Sequence, residues 1–191
     1  MHYTFHHIPK TGGSTLRMRL EDRANKKQIS KLDYAIGHNT TKRTPGTHFT
    51  WLRNPLDRDI SQFNYDRSKG EAEADTFENN CQQLAGNFFT LWLYKNYLLQ
   101  DPNVDINSKY ITVQQCLKNN FQKVFSTENF EQSWNEIADL LKVDREPRLN
   151  TNRSYSDYKN LVSKKNLSKE FLEWHKSYNH YDYKLFEEFC T

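Results

Sequence analysis

His7-Ile8-Pro9-Lys10-Thr11-Gly12-Gly13-Ser14-Thr15 is the stretch on which the reading of the chain turns. Residues 3–8 (Tyr-Thr-Phe-His-His-Ile) are rich in β-formers and read as a first strand. Pro9 breaks it, and Gly12-Gly13 lets the backbone turn and approach a ligand closely. Ser14 then reads as the cap of a helix carrying Leu16 and Leu20. A strand that hands over to a helix through glycines aims the first-turn N–H groups and the positive dipole end at one spot. Lys10 adds a full charge there, and Thr11, Ser14 and Thr15 add hydroxyl donors. The stretch therefore predicts a cradle for a phosphate-like anion. It is not a Walker A loop, whose lysine follows the second glycine; here Lys10 precedes the glycine pair. The plainer alternative is a Gly-Gly turn with Lys10 in solvent.

Working outward, residues 34–38 (Tyr-Ala-Ile-Gly-His), 48–52 (His-Phe-Thr-Trp-Leu) and 121–125 (Phe-Gln-Lys-Val-Phe) read as further strands. Asn54-Pro55 predicts a helix start, with Leu56, Ile60 and Phe63 at helical spacing. Residues 68–75 read as a polar connection, followed by a helical region around Phe88, Leu91, Trp92 and Lys95. Thr127 reads as opening an amphipathic helix with Phe130, Trp134, Ile137, Leu140 and Leu141 on one face. The tail is predicted helical, with Phe171, Trp174, Tyr178, Leu185 and Phe186 as packing residues. Short strands alternating with helices imply an α/β fold: a P-loop-like parallel β-sheet flanked by α-helices, with a helical C-terminal part. The 191 residues suit a single domain spanning 1–191. In such sheets ligands bind beyond the carboxyl ends of the strands, where the distinctive residues fall.

A second such stretch is Leu52-Arg53-Asn54-Pro55-Leu56-Asp57-Arg58-Asp59-Ile60-Ser61-Gln62-Phe63. Arg53 ends a predicted strand and can fork a phosphate with two N–H groups, while Ser61, two helical turns on, can donate a third. Taken alone, this stretch reads better as a capped surface helix with Arg58 paired to Asp57 or a glutamate-like neighbour. Taken together, the two stretches resemble the 5'- and 3'-phosphate sites of sulfotransferases that use 3'-phosphoadenosine 5'-phosphosulfate (PAPS), with Asn54 where aspartate is common. The spacing is most similar to the carbohydrate, heparan sulfate 2-O-sulfotransferase-like group. Phe125-Ser126-Thr127-Glu128-Asn129-Phe130-Glu131-Gln132-Ser133 resembles that family's T-E-x-F-x-x-S segment. Leu149-Asn150-Thr151-Asn152-Arg153 resembles its nucleotide-closing loop. Asn179-His180-Tyr181-Asp182-Tyr183-Lys184-Leu185-Phe186 resembles its terminal segment.

The resemblance implies an enzyme that moves a sulfuryl group from PAPS, as co-substrate, to an acceptor hydroxyl on a saccharide or glycolipid. Lys10, Thr11, Gly12, Gly13, Ser14 and Thr15 are expected around the 5'-phosphosulfate, and Arg53 and Ser61 at the 3'-phosphate. Asn150 and Arg153 are expected at the nucleotide, with a plain polar loop as the equal alternative. No metal is required if Lys10 and the helix end supply the positive charge. Lys10 is expected to meet the leaving and transferring oxygens. A general base should titrate near neutrality, which favours histidine. His38 ends the second predicted strand, on the same sheet edge as Lys10 and Arg53, and reads either as that base or as a strand cap. His7 is expected to pack or orient the loop. His48 lies at the far end of its strand, and His175 and His180 read as structural or exposed. Phe88, Phe89, Trp92 and Tyr94 read as core more readily than as a sugar-stacking platform. Lys42 and Arg43 read as a solvated loop.

Composition narrows the alternatives. With 27 basic and 24 acidic residues the net charge is +3, too balanced to imply duplex nucleic acid as a partner. Cys81, Cys116 and Cys190 form no CxxC or metal-ligand spacing, which suggests reduced thiols. No apolar run suits a transmembrane helix, and no signal peptide precedes the first strand. A cytoplasmic protein, or a catalytic fragment, is therefore expected. A small P-loop kinase would place its lysine after the glycines and a magnesium-binding aspartate at a strand end, and a non-catalytic nucleotide-binding module would lack Lys10 or a base.

Overall fold

The computed structural model describes residues 1–72, 74–145 and 161–191. Four parallel strands form its sheet: β1 (Tyr3–His6), β2 (Tyr34–Gly37), β3 (Thr47–Leu52) and β4 (Phe121–Ser126), in the order β2-β1-β3-β4. β1 leads to one neighbour, β2, and the chain then returns to β1's other side as β3. That reversal opens a crevice at the carboxyl ends of the strands, where ligands of such sheets bind. The register keeps these ends together, with His6 opposite Gly37 and Thr50, and Leu52 opposite Ser126. β1 is shorter than the sequence suggests, because Ile8 leaves the ladder and plugs the core.

The two sheet faces follow the period of two along each strand. Tyr3, Phe5, Phe49, Trp51 and Phe125 face α1 (Gly13–Asn25), which supplies Leu16 and Leu20, and α6 (Phe130–Leu141), which supplies Trp134 and Ile137. The rings form a ladder across three strands, with centroids 5.5 Å apart for Phe5–Phe49, 6.0 Å for Phe49–Phe125 and 4.8 Å for Trp51–Phe125. Each pair adds about 0.5–1.5 kcal/mol beyond area burial. Leu52 and Val124 face the opposite way. There they meet Phe89 and Leu93 of α4 (Phe88–Trp92) and its π-helical continuation Leu93–Tyr97, Val113 and Leu117 of α5 (Ile106–Asn120), and Leu185 of α8 (His180–Cys190). A third cluster joins α2 (Pro55–Lys69), α3 (Phe77–Gln83) and α7 (Lys169–Tyr178) through Leu56, Phe63, Phe77 and Phe171.

Several local expectations are corrected. Ser14 does not cap α1: Gly12, at φ 84, holds that position and Ser14 lies inside the first turn. Thr127 does not open α6, which Asn129 precedes; its backbone N–H and hydroxyl both donate to the Leu52 carbonyl, each at 2.9 Å. The helix α5, absent from the sequence reading, is built on the cap Asp105, while α3, capped by Thr76, falls in the helical region expected after residue 75. Leu140 is exposed rather than packed. Phe89 and Tyr94 are core, as expected, with Phe88 and Trp92 half-buried against it. Among the described residues no helix is long and apolar enough to cross a membrane.

His6 is 1 % exposed and lies between Thr40, 2.8 Å away at the hydroxyl, and the His48 ring, 3.2 Å away. His48 Nε2–H donates to the Thr44 carbonyl at 2.8 Å, which leaves its Nδ1 to accept from the Tyr97 hydroxyl at 2.8 Å. Burial, and then the facing His48, push His6 down to about 3. Burial also lowers His7 to about 4, aided by His38, Arg17 and Lys10. Both residues take up protons more readily in the unfolded chain. Their contribution is thus intact above the unfolded value near 6.5 and is lost as pH falls from there toward about 3 to 4. Unfolding free energy should fall by up to about 1.4 kcal/mol per pH unit for each histidine below pH 6. Urea titrations from pH 7 to pH 5 should show this slope, shallower in His6→Gln. An unchanged slope in that variant would remove His6 from the account.

Candidate active site

Three strand ends build one cavity of about 370 Å³, lined by residues that include His7, Lys10, Gly12, Gly13, Ser14, His38, Arg53 and Ser61. The loop after β1 forms its floor. Thr11 is buried, and its hydroxyl donates to the Ile8 carbonyl at 2.8 Å. That bond holds the turn and leaves Thr11 outside the cavity wall, as is Thr15. α1 starts with no side-chain cap, and Gly12, Gly13 and Ser14 line the cavity, the kind of helix start that receives anions. Gly13 is fixed by a close neighbour, since a Cβ there would lie 2.0 Å from the His7 ring.

Lys10 has a left-handed backbone, φ 68. Such a conformation costs a non-glycine residue on the order of 1–3 kcal/mol and collects at functional sites. Its ammonium sits over the Tyr65 ring, 4.2 Å from the centroid. Arg53, at the end of β3, donates from Nη1 to the Lys10 carbonyl at 3.3 Å, which ties the two basic positions together. Asn54 caps α2 through Asp57 N–H and donates its own N–H to Glu128 at 2.9 Å. Asparagine caps a helix as well as aspartate does, so the departure at Asn54 leaves the strand-to-helix turn intact.

His38 is exposed at the cavity rim and stacks on His7, with ring centroids 4.1 Å apart. His7 is buried and held down to about 4, so it stays neutral beneath the solvent-facing His38 ring. His48 is distant from the cavity wall, at the amino end of β3.

Gln62 and Tyr65 also line the cavity and were missed by sequence reasoning. Helical spacing carried the signal, since Tyr65 stands four residues after Ser61 and shares its face. Arg58 does not join Ser61 there. It is buried, donates to Asp59 at 2.7 Å rather than pairing with Asp57, and lies over the Phe88 ring at 3.4 Å. It lines a neighbouring cavity of about 450 Å³ that shares Gln62 with the first.

The downstream segments act as braces. Ser126 donates to Glu128 at 2.5 Å, and Glu128 receives Asn54, so the start of α2 is locked to β4. Asp182 is buried and accepts from the N–H groups of Phe89 and Thr90 at 2.6 and 2.9 Å and from the Thr90 hydroxyl at 2.8 Å. Burial raises its carboxyl to about 6 against those bonds. Lys42, Arg43 and His180 are exposed, whereas His175 is fully buried. Asn150 and Arg153 lie outside the described residues.

A comparison with curated proteins found no match. The model of the sulfotransferase family matches residues 2–189, and so takes in every strand and the turns after β1 and β3. With an α/β sheet, an uncapped helix start beside a lysine and an arginine at the next strand end, the chain belongs to the sulfotransferase family, whose members are transferases of the sulfuryl group.

Proposed function

We propose that this chain takes its sulfuryl group from PAPS and passes it to a hydroxyl of a saccharide, with Lys10 and His38 as catalytic residues. The observation that carries the reading is the convergence of two fixed basic side chains, Lys10 and Arg53, with the uncapped first turn of α1 on one cavity. Two separated anion sites suit a nucleotide phosphorylated at both 3' and 5' positions, and a cavity of about 370 Å³ falls in the range of ligand sites. Gly12, Gly13 and Ser14 hold the 5'-phosphate end, with Thr11 and Thr15 supporting the turn. Arg53 and Ser61 hold the 3'-phosphate, and Asn150 and Arg153 remain candidates for the nucleotide.

The transfer then needs little beyond positioning and charge, by analogy with phosphoryl transfer. His38 accepts the acceptor's hydroxyl proton as the oxygen attacks sulfur. The bond from sulfur to the phosphate oxygen breaks. Lys10 and the α1 N–H groups meet the charge that develops on the leaving phosphate. The neighbouring cavity, reached past Gln62, bears the carboxylates of Asp59, Asp66 and Glu71 against one arginine. That balance favours an uncharged sugar over a sulfated polysaccharide.

Calorimetry with 3'-phosphoadenosine 5'-phosphate, ADP and 5'-AMP, without magnesium, tests the donor. Selective binding of the doubly phosphorylated nucleotide is expected. Arg53→Ala should weaken it by about 10- to 100-fold, the worth of a charged hydrogen bond, and leave 5'-AMP nearly unchanged. Equal losses for both ligands would remove Arg53 from the 3' site. A preference for ADP that depends on magnesium would replace PAPS with a nucleoside triphosphate.

A further inference from the structure

Where α2, α3 and α7 meet, Asp59, Cys81 and His175 bring one donor atom each within 4.8 Å of one another. Cys81 and His175 have no part in the transfer, and Asp59 serves it only as one wall of the neighbouring cavity. Asp59 Oδ2 and His175 Nε2 are already 3.0 Å apart. Tetrahedral zinc, with metal–N and metal–O distances of about 2.0–2.1 Å and metal–S of about 2.3 Å, places its donors roughly 3.3–3.6 Å apart. With the donors within 4.8 Å of one another, the thiol therefore needs to move by about 1.2 Å at most.

The surrounding bonds orient the donors as a metal site requires. Asp59 Oδ1 accepts from Arg58 at 2.7 Å, which leaves Oδ2 turned to His175 and Cys81. His175 Nδ1 lies 3.2 Å from the Tyr183 hydroxyl. With its proton on Nδ1, donated to Tyr183, the ring offers the Nε2 lone pair. Outer partners of this kind fix ligand orientation and tautomer at metal centres. His175 and Cys81 are buried, at 0 % and 5 % exposure. Asp59 and Cys81 also line the second cavity, so a fourth position faces an open space.

We propose that Asp59, Cys81 and His175 bind one zinc(II) ion, with water as the fourth ligand. Thiolate, imidazole and carboxylate together suit zinc and not the oxygen-seeking magnesium or calcium. Binding releases the Cys81 proton to solvent, and thiolate plus carboxylate then neutralise the ion. The zinc cross-links α3 and α7 to α2, the helix that carries Ser61 and Tyr65. It holds the nucleotide wall in place and takes no part in the transfer. Among the described residues this is the one such group of three ligand side chains.

The test uses the whole 191-residue chain, prepared with zinc and exchanged into metal-free buffer. Mass spectrometry should find one zinc per chain in the wild type and in Cys116→Ala. Zinc affinity should fall by at least about tenfold in Cys81→Ala. Metal-stripped protein titrated with cobalt(II) should develop a thiolate-to-cobalt charge-transfer band that saturates at one equivalent and is absent from Cys81→Ala. The isosteric Cys81→Ser gives the same readout if the alanine variant folds poorly. A wild type with no band overturns the proposal, and so does a Cys81 variant with the band and zinc content of the wild type.

Discussion

Lys10→Ala should lower turnover by about 10²- to 10³-fold, the usual cost of losing one charge-stabilising donor, while the fold persists. The side chain lines the cavity and rests on the exposed Tyr65 ring, so little packing is lost with it. A second variant separates chemistry from architecture. Lys10 occupies φ 68, a conformation that glycine adopts freely. Lys10→Gly should therefore be at least as stable as the wild type, yet as inactive as the alanine variant. Thermal unfolding beside single-turnover rates reads both effects. Inactivity accompanied by a large loss of stability would make Lys10 a structural residue, and retained turnover would remove it from the reaction. Binding of the product nucleotide should weaken by much less than turnover, because the α1 N–H groups and Arg53 remain.

His38→Ala should lower turnover by about 10²- to 10⁴-fold, the range of general base catalysis, with donor affinity changed only a few-fold. Added imidazole should restore part of the rate, since the rim position is open to solvent. The stacked partner makes a control. His7 is buried against the position of Gly13 and is held neutral, so His7→Asn should disturb the loop and donor binding more than the proton step. A His38→Ala enzyme within about tenfold of the wild-type rate would move the base elsewhere.

Much of this was legible because local signals agree with the global fold. Pro9, the Gly12-Gly13 pair and the Asn54-Pro55 turn mark where strands give way to helices, and alternation along β1 and β3 marks the sheet. Legibility failed where a residue's partner is distant in sequence. Ser14 and Gly12 are both acceptable caps, and only the packing of His7 on Gly13 and Phe130 near Gly12 fixes which one is used. Arg58 and Ser61 belong to one helix, yet Phe88 and Asp59 draw Arg58 to the neighbouring cavity. Residues 106–120 form a helix whose apolar pattern is too weak to announce itself.

The sequence by itself determined the α/β class, the four strands and the helix starts after β1 and β3, because each depends on neighbours within a few residues. The tertiary structure alone decided what meets across the sheet. It set His38 on His7, Arg53 on the Lys10 carbonyl, and Tyr65 beneath the Lys10 ammonium. It also brought Asp59, Cys81 and His175 together from three helices. Such meetings depend on strand order and helix packing, which link residues up to 116 positions apart in the case of Asp59 and His175, and no local pattern encodes a distance of that kind.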